Sequence, residues 1–193
     1  MESIKEFSLD KQIQHPALLL STIEIKKLKE QSTLTDWVTE SFEKEFTDQR
    51  CFSMNLTFVS GINRDKALIQ FKNFIKYLNR RVYGKANKRF PEEKYIKLLA
   101  IIEGGGNSGK EFHYHCLIVK PYDRIISDDE FSILIKDCWF KQPKAMKNKE
   151  VASIIEKIYD LGGWAGYISK SYSKDTSNDK TYFDSIDLQS SYF

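Results

Sequence analysis

The chain has 193 residues, of which 41% are hydrophobic and 13% aromatic, enough for one folded domain with a substantial core. No run approaches the roughly 18 apolar residues of a membrane span, and the polar start MESIKEFSLDKQ lacks the apolar segment of a secretory signal. The net charge of +3 conceals a local excess of +8, because residues 61–100 carry 11 Lys and Arg against 3 Asp and Glu.

The first half of the chain predicts a helical lead-in, a strand and a long helix. Residues 1–48 favour helix, and Thr35 is a candidate N-cap for the segment LTDWVTESFEKEF. CFSMNLTFV at 51–59 alternates apolar and polar residues, which predicts a half-buried strand. From about Arg64 to Tyr83, apolar residues recur at helical spacing, so an amphipathic helix of about five turns is expected.

A hairpin is predicted next. KLLAIIEG at 97–104 and FHYHCLIVKP at 112–121 are short apolar runs, and the second is closed by a proline. The eight residues between Glu103 and Phe112 are rich in Gly, Asn and Ser. Two such runs joined by a turn-forming segment indicate an antiparallel pair of strands.

Three helices are expected after the hairpin. SDDEFSILIKDCWF opens with a capping box of Ser127 and Glu130. A second helix is predicted from about Lys149 to Tyr159, ending at Gly162-Gly163, and a short third helix at 164–174. The order strand, helix, strand, strand, helix, helix indicates an α+β domain with a central antiparallel sheet flanked by helices.

The three cysteines, Cys51, Cys116 and Cys138, are an odd number without CxxC spacing. Such usage predicts reduced thiols in a cytoplasmic, reducing compartment rather than a disulfide framework.

The stretch EGGGNSGKEFHYH at 103–115 first suggests a nucleotide-binding loop. From Gly104 to Lys110 it fits G-x-x-x-x-G-K, the start of a phosphate-binding loop. Such a loop needs Ser or Thr after the lysine and a helix whose N-terminus donates amide groups. Here Glu111 follows, and then a strand-like run. We therefore expect a turn between two strands.

The same stretch also predicts a metal site. Alternate residues of a strand share a face, so His113 and His115 project together while Tyr114 and Cys116 project oppositely. If Glu103 pairs near His113, its carboxylate lands on the same face, with cross-strand neighbours about 5 Å apart. Two imidazoles and a carboxylate suit Mn²⁺ or Mg²⁺ without excluding Zn²⁺. Two surface histidines on a solvated strand are the alternative.

Three blocks of the chain resemble the HUH endonucleases, which comprise rolling-circle replication initiators and their relaxase and transposase relatives. SMNLTF at 53–58 resembles the first motif of the family. Glu103 with HYH at 113–115 resembles its metal-binding motif, and GYISKSYSKD at 166–175 resembles its Y-x-x-K motif. The blocks follow the order of the family and cover about residues 50–175.

The resemblance implies an RRM-like or ferredoxin-like HUH nuclease fold. It divides the chain into a helical lead-in at 1–48, an endonuclease domain at 49–175 and a C-terminal tail at 176–193.

The resemblance also implies that Tyr167 cleaves single-stranded DNA and becomes joined to its 5′-phosphate. Lys170, three residues later on the same helical face, would position the phosphate or stabilise the tyrosinate. Tyr172 is the alternative nucleophile. It lies five residues after Tyr167, about 140° around a helix, so both cannot easily face one metal. The two-tyrosine branch has a shorter spacing, which indicates a single-tyrosine initiator.

Two groups of residues are candidate DNA contacts. Asn55 and Thr57 would reach the substrate from the first strand, although a simple polar sheet face explains them equally well. The basic residues of the RRVYGKANKR stretch would bind phosphates, unless they form only a solvated surface. This second group is Arg80, Arg81, Lys85, Lys88 and Arg89.

The expected role is site-specific nicking and joining that initiates rolling-circle replication of a plasmid or phage. The expected partners are single-stranded DNA at a replication origin and a host helicase and polymerase, with no membrane involved. A relaxase or transposase would use the same residues. The alternative from another class is a non-catalytic origin-binding protein on the same fold.

Overall fold

A computed structural model describes residues 31–84, 95–105, 110–125, 127–146 and 153–173. In chain order the elements within these ranges are α1 (Gln31–Thr47), β1 (Cys51–Thr57), α2 (Arg64–Tyr83), β2 (Leu98–Glu103), β3 (His113–Val119), α3 (Asp128–Phe140), β4 (Ser153–Lys157) and α4 (Leu161–Ser173). None of these helices combines the length and the apolar character that a membrane crossing requires.

The four strands form one sheet in the order β2-β3-β1-β4, and every neighbouring pair is antiparallel. The predicted α+β class with a central antiparallel sheet is therefore confirmed. The hairpin of β2 and β3 is confirmed as well, and Glu103 pairs with His113 as expected.

Helices cover both faces of the sheet. Even-numbered residues of β1, β2 and β3 pack against α2 and α3 in the larger core. There the Tyr114 ring stacks on Phe71, with centroids 3.7 Å apart, and Phe58 meets Trp139 edge-on at 4.9 Å. Odd-numbered residues face α1 and α4 and form the smaller core. Each large apolar side chain removed from water contributes about 1.5–3 kcal/mol, so both layers hold the sheet in place.

Most predicted helices agree with the structure, with one error in the first. Helix α2 has the predicted bounds, and Ser127 caps α3 by accepting a hydrogen bond from the amide of Glu130 at 3.0 Å. The predicted N-cap at Thr35 is wrong because α1 already includes Gln31. Leu34 is buried in the smaller core, so the apolar face of the helix begins before Thr35.

The predicted helix at Lys149–Tyr159 is also wrong, because β4 occupies Ser153–Lys157 and pairs with β1. The isoleucines of the predicted helix recur at helical spacing, but Ile155 lies opposite Met54 in the sheet and packs on the larger core. Partners from distant parts of the chain decide the structure of such a short β-branched segment.

Gly162 and Gly163 were predicted to end a helix, but they lie in the first turn of α4. The carboxylate of Asp160 accepts a hydrogen bond from the amide of Gly163 at 2.8 Å and so caps the helix. A Cβ on Gly163 would collide with that carboxylate. The glycine therefore leaves room for the cap. The predicted final helix at 164–174 is present, beginning three residues earlier.

Candidate metal centre

Glu103, His113 and His115 converge on the sheet face that carries α1 and α4. Glu103 and His113 are directly paired across β2 and β3, and His115 follows two residues later on the same face. Oε2 of Glu103 lies 3.6 Å from Nε2 of each histidine, and these potential ligand atoms all lie within 4.8 Å of one another. The predicted triad is therefore assembled.

The local hydrogen bonds also fit a cation. Nδ1 of His113 lies 2.9 Å from the carbonyl oxygen of Glu111, and donation of its proton there leaves Nε2 as a lone-pair donor toward Glu103. Oε1 of Glu103 is buried without a hydrogen-bond partner among the described residues. Ligands about 2.0–2.2 Å from an ion lie roughly 3.0–3.5 Å apart, so the observed 3.6 Å spacing needs little adjustment.

The three side chains perturb one another electrostatically. Burial alone would raise the pKa of Glu103, but the imidazoles of His113 and His115, 3.6 Å from its carboxylate, lower this pKa to about 2. The nearby carboxylate of Glu103 raises the pKa of His113 above its ordinary value, against the effect of burial. Without metal, the cluster is therefore an ion pair below neutral pH. A cation that binds here must displace the proton of the His113 imidazolium.

Two glycines allow the hairpin to turn beside the triad. Gly104 and Gly105 have φ angles of +88° and +75°, a region that disfavours other residues. A Cβ on Gly104 would collide with the carbonyl of Glu111, and one on Gly105 would collide with the ring of Phe112. The segment leads into β3 rather than a helix. This agrees with a turn and not with a phosphate-binding loop, although residues 106–109 lie outside the described ranges.

Helix α4 brings Tyr167 next to the triad. Leu161, Ala165 and Ile168 are buried in the smaller core and hold the helix against this face of the sheet. The ring of Tyr167 meets that of His115 edge-on, with centroids 6.2 Å apart, while 60% of the residue is exposed. The phenol therefore lies beside the candidate cation site on the solvent side, where a polymeric substrate can reach it.

Lys170 and Tyr172 lie on the same helix, which continues to Ser173. At 3.6 residues per turn, Lys170 follows Tyr167 on nearly the same face, and Tyr172 lies about 140° away. Their side chains are outside the described part of the structure, so their roles stay predictions.

Asn55 and Thr57 share the face of the triad. Asn55 is paired with His115, and Thr57 with His113, across β1 and β3. Thr57 is half-buried, and Oδ1 of Asn55 is buried without a hydrogen-bond partner among the described residues. The pattern of alternation predicted their face. Their pairing with the histidines depends on a strand register that the sequence did not reveal.

Arg80 and Arg81 are exposed but lie away from the triad. Helix α2 covers the opposite face of the sheet. The side chain of Asn79 accepts a hydrogen bond from the amide of Ile96, just before β2 begins, whereas Glu103 is at the other end of β2. The structure therefore does not bring these arginines to the triad, and their contact with DNA stays a prediction. Lys85, Lys88 and Arg89 fall outside the described residues.

Two of the three cysteines, Cys51 and Cys138, are unsuited to nucleophilic chemistry. All three lie in the described ranges, where each is buried and none forms a disulfide. Burial raises the pKa of Cys51 to about 12 and that of Cys138 to about 11. Thiolates are therefore scarce at neutral pH.

Comparisons of the chain with protein-family models, with curated proteins and with solved structures give no match.

Proposed function

We propose that the protein is a metal-dependent endonuclease that nicks and rejoins single-stranded DNA through a tyrosine, in the manner of the HUH family. The observation that carries this proposal is the convergence of Glu103, His113 and His115 with Tyr167 beside them. A protein that only binds DNA needs neither a three-ligand cluster nor an exposed phenol next to it.

The connectivity of the sheet supports the finer part of the proposal, a ferredoxin-like nuclease fold. From β1 to β4 the elements follow the order β-α-β-β-α-β, and both intervening helices pack on one face. The strands that carry the triad, β2 and β3, are neighbours. In this arrangement α4 is an addition on the opposite face, and it supplies Tyr167.

In the proposed reaction, the hydroxyl oxygen of Tyr167 attacks a phosphorus atom of the DNA backbone. A bond forms between this oxygen and phosphorus, and the bond from phosphorus to the 3′-oxygen breaks. The phenol loses a proton and the departing 3′-oxygen gains one, so the products are a 5′-phosphotyrosine and a free 3′-hydroxyl. The number of phosphate ester bonds is conserved, which allows the reverse reaction to rejoin the strands.

The residues of the chain address two difficulties of this reaction. A phenol has a pKa of about 10 and is a weak nucleophile at neutral pH. A cation held by Glu103, His113 and His115 would polarise the scissile phosphate and offset its negative charge. Lys170 would add positive charge on the helical face of Tyr167.

The proposed setting is the initiation of rolling-circle replication of a plasmid or phage in the cytoplasm. The substrate would be single-stranded DNA at an origin, and a host helicase and polymerase would extend the free 3′-hydroxyl. Relaxases and transposases of the family perform the same chemistry, so the DNA sequence that is cut distinguishes these roles.

A labelling experiment tests the proposal. The full chain is incubated with single-stranded oligonucleotides that carry a label at the 3′ end, including origin-derived ones, with Mn²⁺ or with EDTA. A denaturing gel then separates covalent adducts from free DNA. We expect an adduct that requires Mn²⁺, persists in Tyr172→Phe and is absent in Tyr167→Phe.

Each other outcome has a definite meaning. An adduct lost only in Tyr172→Phe would transfer the nucleophile to that residue. An adduct that forms equally in EDTA would contradict the role of the triad. Retention of specific DNA binding without an adduct on any substrate, including origin DNA, would instead identify a non-catalytic binding protein.

A further inference from the structure

Asn55 lies directly opposite His115 on the neighbouring strand, although the two residues are far apart in the sequence. The amide of Phe58 donates to the carbonyl of Phe112, and the amide of Lys120 donates to that of Arg50. Hydrogen-bonded pairs alternate along an antiparallel ladder, so in β1 they fall on even-numbered residues. Asn55 and His115 are therefore a non-hydrogen-bonded pair, in which the side chains approach most closely.

Two buried oxygens flank the central strand of the site. Oε1 of Glu103, from β2, and Oδ1 of Asn55, from β1, both lack a hydrogen-bond partner among the described residues. His115 stands on β3 between these two strands, and all three residues share one face. Buried oxygens are normally met by a donor or an ion, so two such oxygens beside two imidazoles indicate a shared positive partner.

We propose that the amide oxygen of Asn55 is a fourth protein ligand of the cation bound by Glu103, His113 and His115. This inference depends on the metal site of the proposed function and extends it. The ligand set becomes two imidazole nitrogens, one carboxylate oxygen and one amide oxygen. Oxygen ligands suit Mn²⁺ and Mg²⁺, which accept six ligands and retain two positions for oxygens of the substrate.

The fourth ligand also affects selectivity among metals. Zinc is almost always four-coordinate in sites with four protein ligands, and such sites leave no position for a substrate. Asn55 would therefore favour an active six-coordinate ion over an inactive closed zinc site. Removal of its oxygen should weaken Mn²⁺ binding more than Zn²⁺ binding.

The neutral charge of Asn55 has its own consequence. A divalent ion with one glutamate keeps a net charge of +1, which attracts a phosphate. An aspartate in place of Asn55 would still provide an oxygen ligand but would cancel that charge. Asn55→Asp should thus bind Mn²⁺ at least as tightly as the natural protein while binding single-stranded DNA more weakly in the presence of Mn²⁺.

Calorimetric titration of the full chain with Mn²⁺ and with Zn²⁺, without DNA, tests the inference. Ser53→Ala is the matched control, because Ser53 is a half-buried polar residue on the same face of β1, two pairs further from the triad. We expect Asn55→Ala to lose about 10-fold or more in Mn²⁺ affinity and less in Zn²⁺ affinity. Ser53→Ala should match the natural protein, and His115→Ala should lose most binding of both metals.

The possible failures are distinguishable. If His115→Ala loses Mn²⁺ while Asn55→Ala binds it normally, the fourth ligand is refuted and the triad stands. If His115→Ala also binds normally, the metal site itself, and with it the proposed function, is refuted. If thermal unfolding shows that Asn55→Ala does not fold, Asn55→Asp decides the matter, because weaker Mn²⁺ binding by that variant overturns the inference.

Discussion

Replacing Glu103 by glutamine tests the electrostatics of the triad, because the variant keeps the shape and loses the charge. In the metal-free protein, burial raises the pKa of Glu103, but the imidazoles of His113 and His115, 3.6 Å away, outweigh it and lower this pKa from 4.5 to about 2. At 1.36 kcal/mol per unit, this lowering corresponds to about 3 kcal/mol of folding free energy. The side chain is only 18% exposed, so water screens little of the interaction.

The cost of this substitution should depend on pH. The depressed pKa of Glu103 contributes stability above its unfolded value of 4.5, and this is lost as pH falls through about 2. The raised pKa of His113 contributes stability below its unfolded value of 6.5, and this is lost as pH rises through the folded pKa. The charged pair is therefore complete only between the folded pKa of Glu103, about 2, and the raised folded pKa of His113. We expect Glu103→Gln to cost about 3 kcal/mol near pH 5.5 and less than about 1 kcal/mol near pH 8.5, because neutral His113 donates its proton from Nδ1 to Glu111 and offers none to Glu103.

Urea unfolding in EDTA at both pH values measures this difference. Glu45→Gln is a matched control, because Glu45 is also 18% exposed and lies 3.2 Å from Nζ of Lys97 rather than a histidine. Its cost should be the same at both pH values. Equal costs for Glu103→Gln at the two pH values, within about 0.5 kcal/mol, would refute the charged-pair account.

Three further results are expected. A fixed Mn²⁺ concentration, about 100 times the dissociation constant at pH 8.5, should stabilise the protein by about 2.7 kcal/mol at that pH. Unfolding curves at the same concentration should show less stabilisation near pH 5.5, because the metal must displace the proton of His113. The double variant Arg80→Ala, Arg81→Ala should cleave a short oligonucleotide at an unchanged rate, while fluorescence anisotropy shows weaker binding of longer DNA with a salt slope lower by about 1–2. Gly104→Ala should cost about 2 kcal/mol or more in urea unfolding, because its φ of +88° strains any side chain and the added Cβ collides with the backbone; a cost below about 0.5 kcal/mol would contradict the turn geometry.

The spacing of apolar residues along the chain predicted helix α2, and the caps of that helix agree with the spacing. Helix α2 begins after Asn63, whose side chain accepts a hydrogen bond from the amide of Lys66, and ends at Gly84 with a φ of +61°. Between these caps, apolar residues recur at helical spacing, so the cap signals and the periodicity agree. Agreement between such levels is what makes an element predictable from sequence.

Strand β4 was not predictable in this way. Its five residues are too few to show a periodic pattern, and its two isoleucines, Ile154 and Ile155, are adjacent and fit a buried strand as well as a helix. The segment becomes a strand because it pairs with the edge of β1, which lies about 100 residues earlier in the chain. In this pairing Ser53 lies opposite Glu156. The prediction for Gly162-Gly163 was wrong for a related reason, since a glycine pair near a helix start and one near a helix end look alike without the Asp160 cap.

The residues of the candidate site differ in the same way, since some are placed by local sequence and others by long-range pairing. Glu103, His113 and His115 could be predicted because one hairpin carries all of them, so its register follows from a single turn. The position of Asn55 could not, since it depends on the pairing of β1 with β3 across about 60 residues. The packing of α2 on the opposite face of the sheet likewise places Arg80 away from the triad, and this depends on long-range contacts.

Tyr114, the residue between the two histidines, connects the geometry of the site to the core on the opposite face of the sheet. Tyr114 is fully buried and stacks on Phe71 of α2. A shift of β3 by one residue would expose this ring and turn both imidazoles away from Glu103, since side chains alternate between faces. The core beneath the sheet therefore sets the register of β3, and the same register places the nitrogen ligands beside Tyr167.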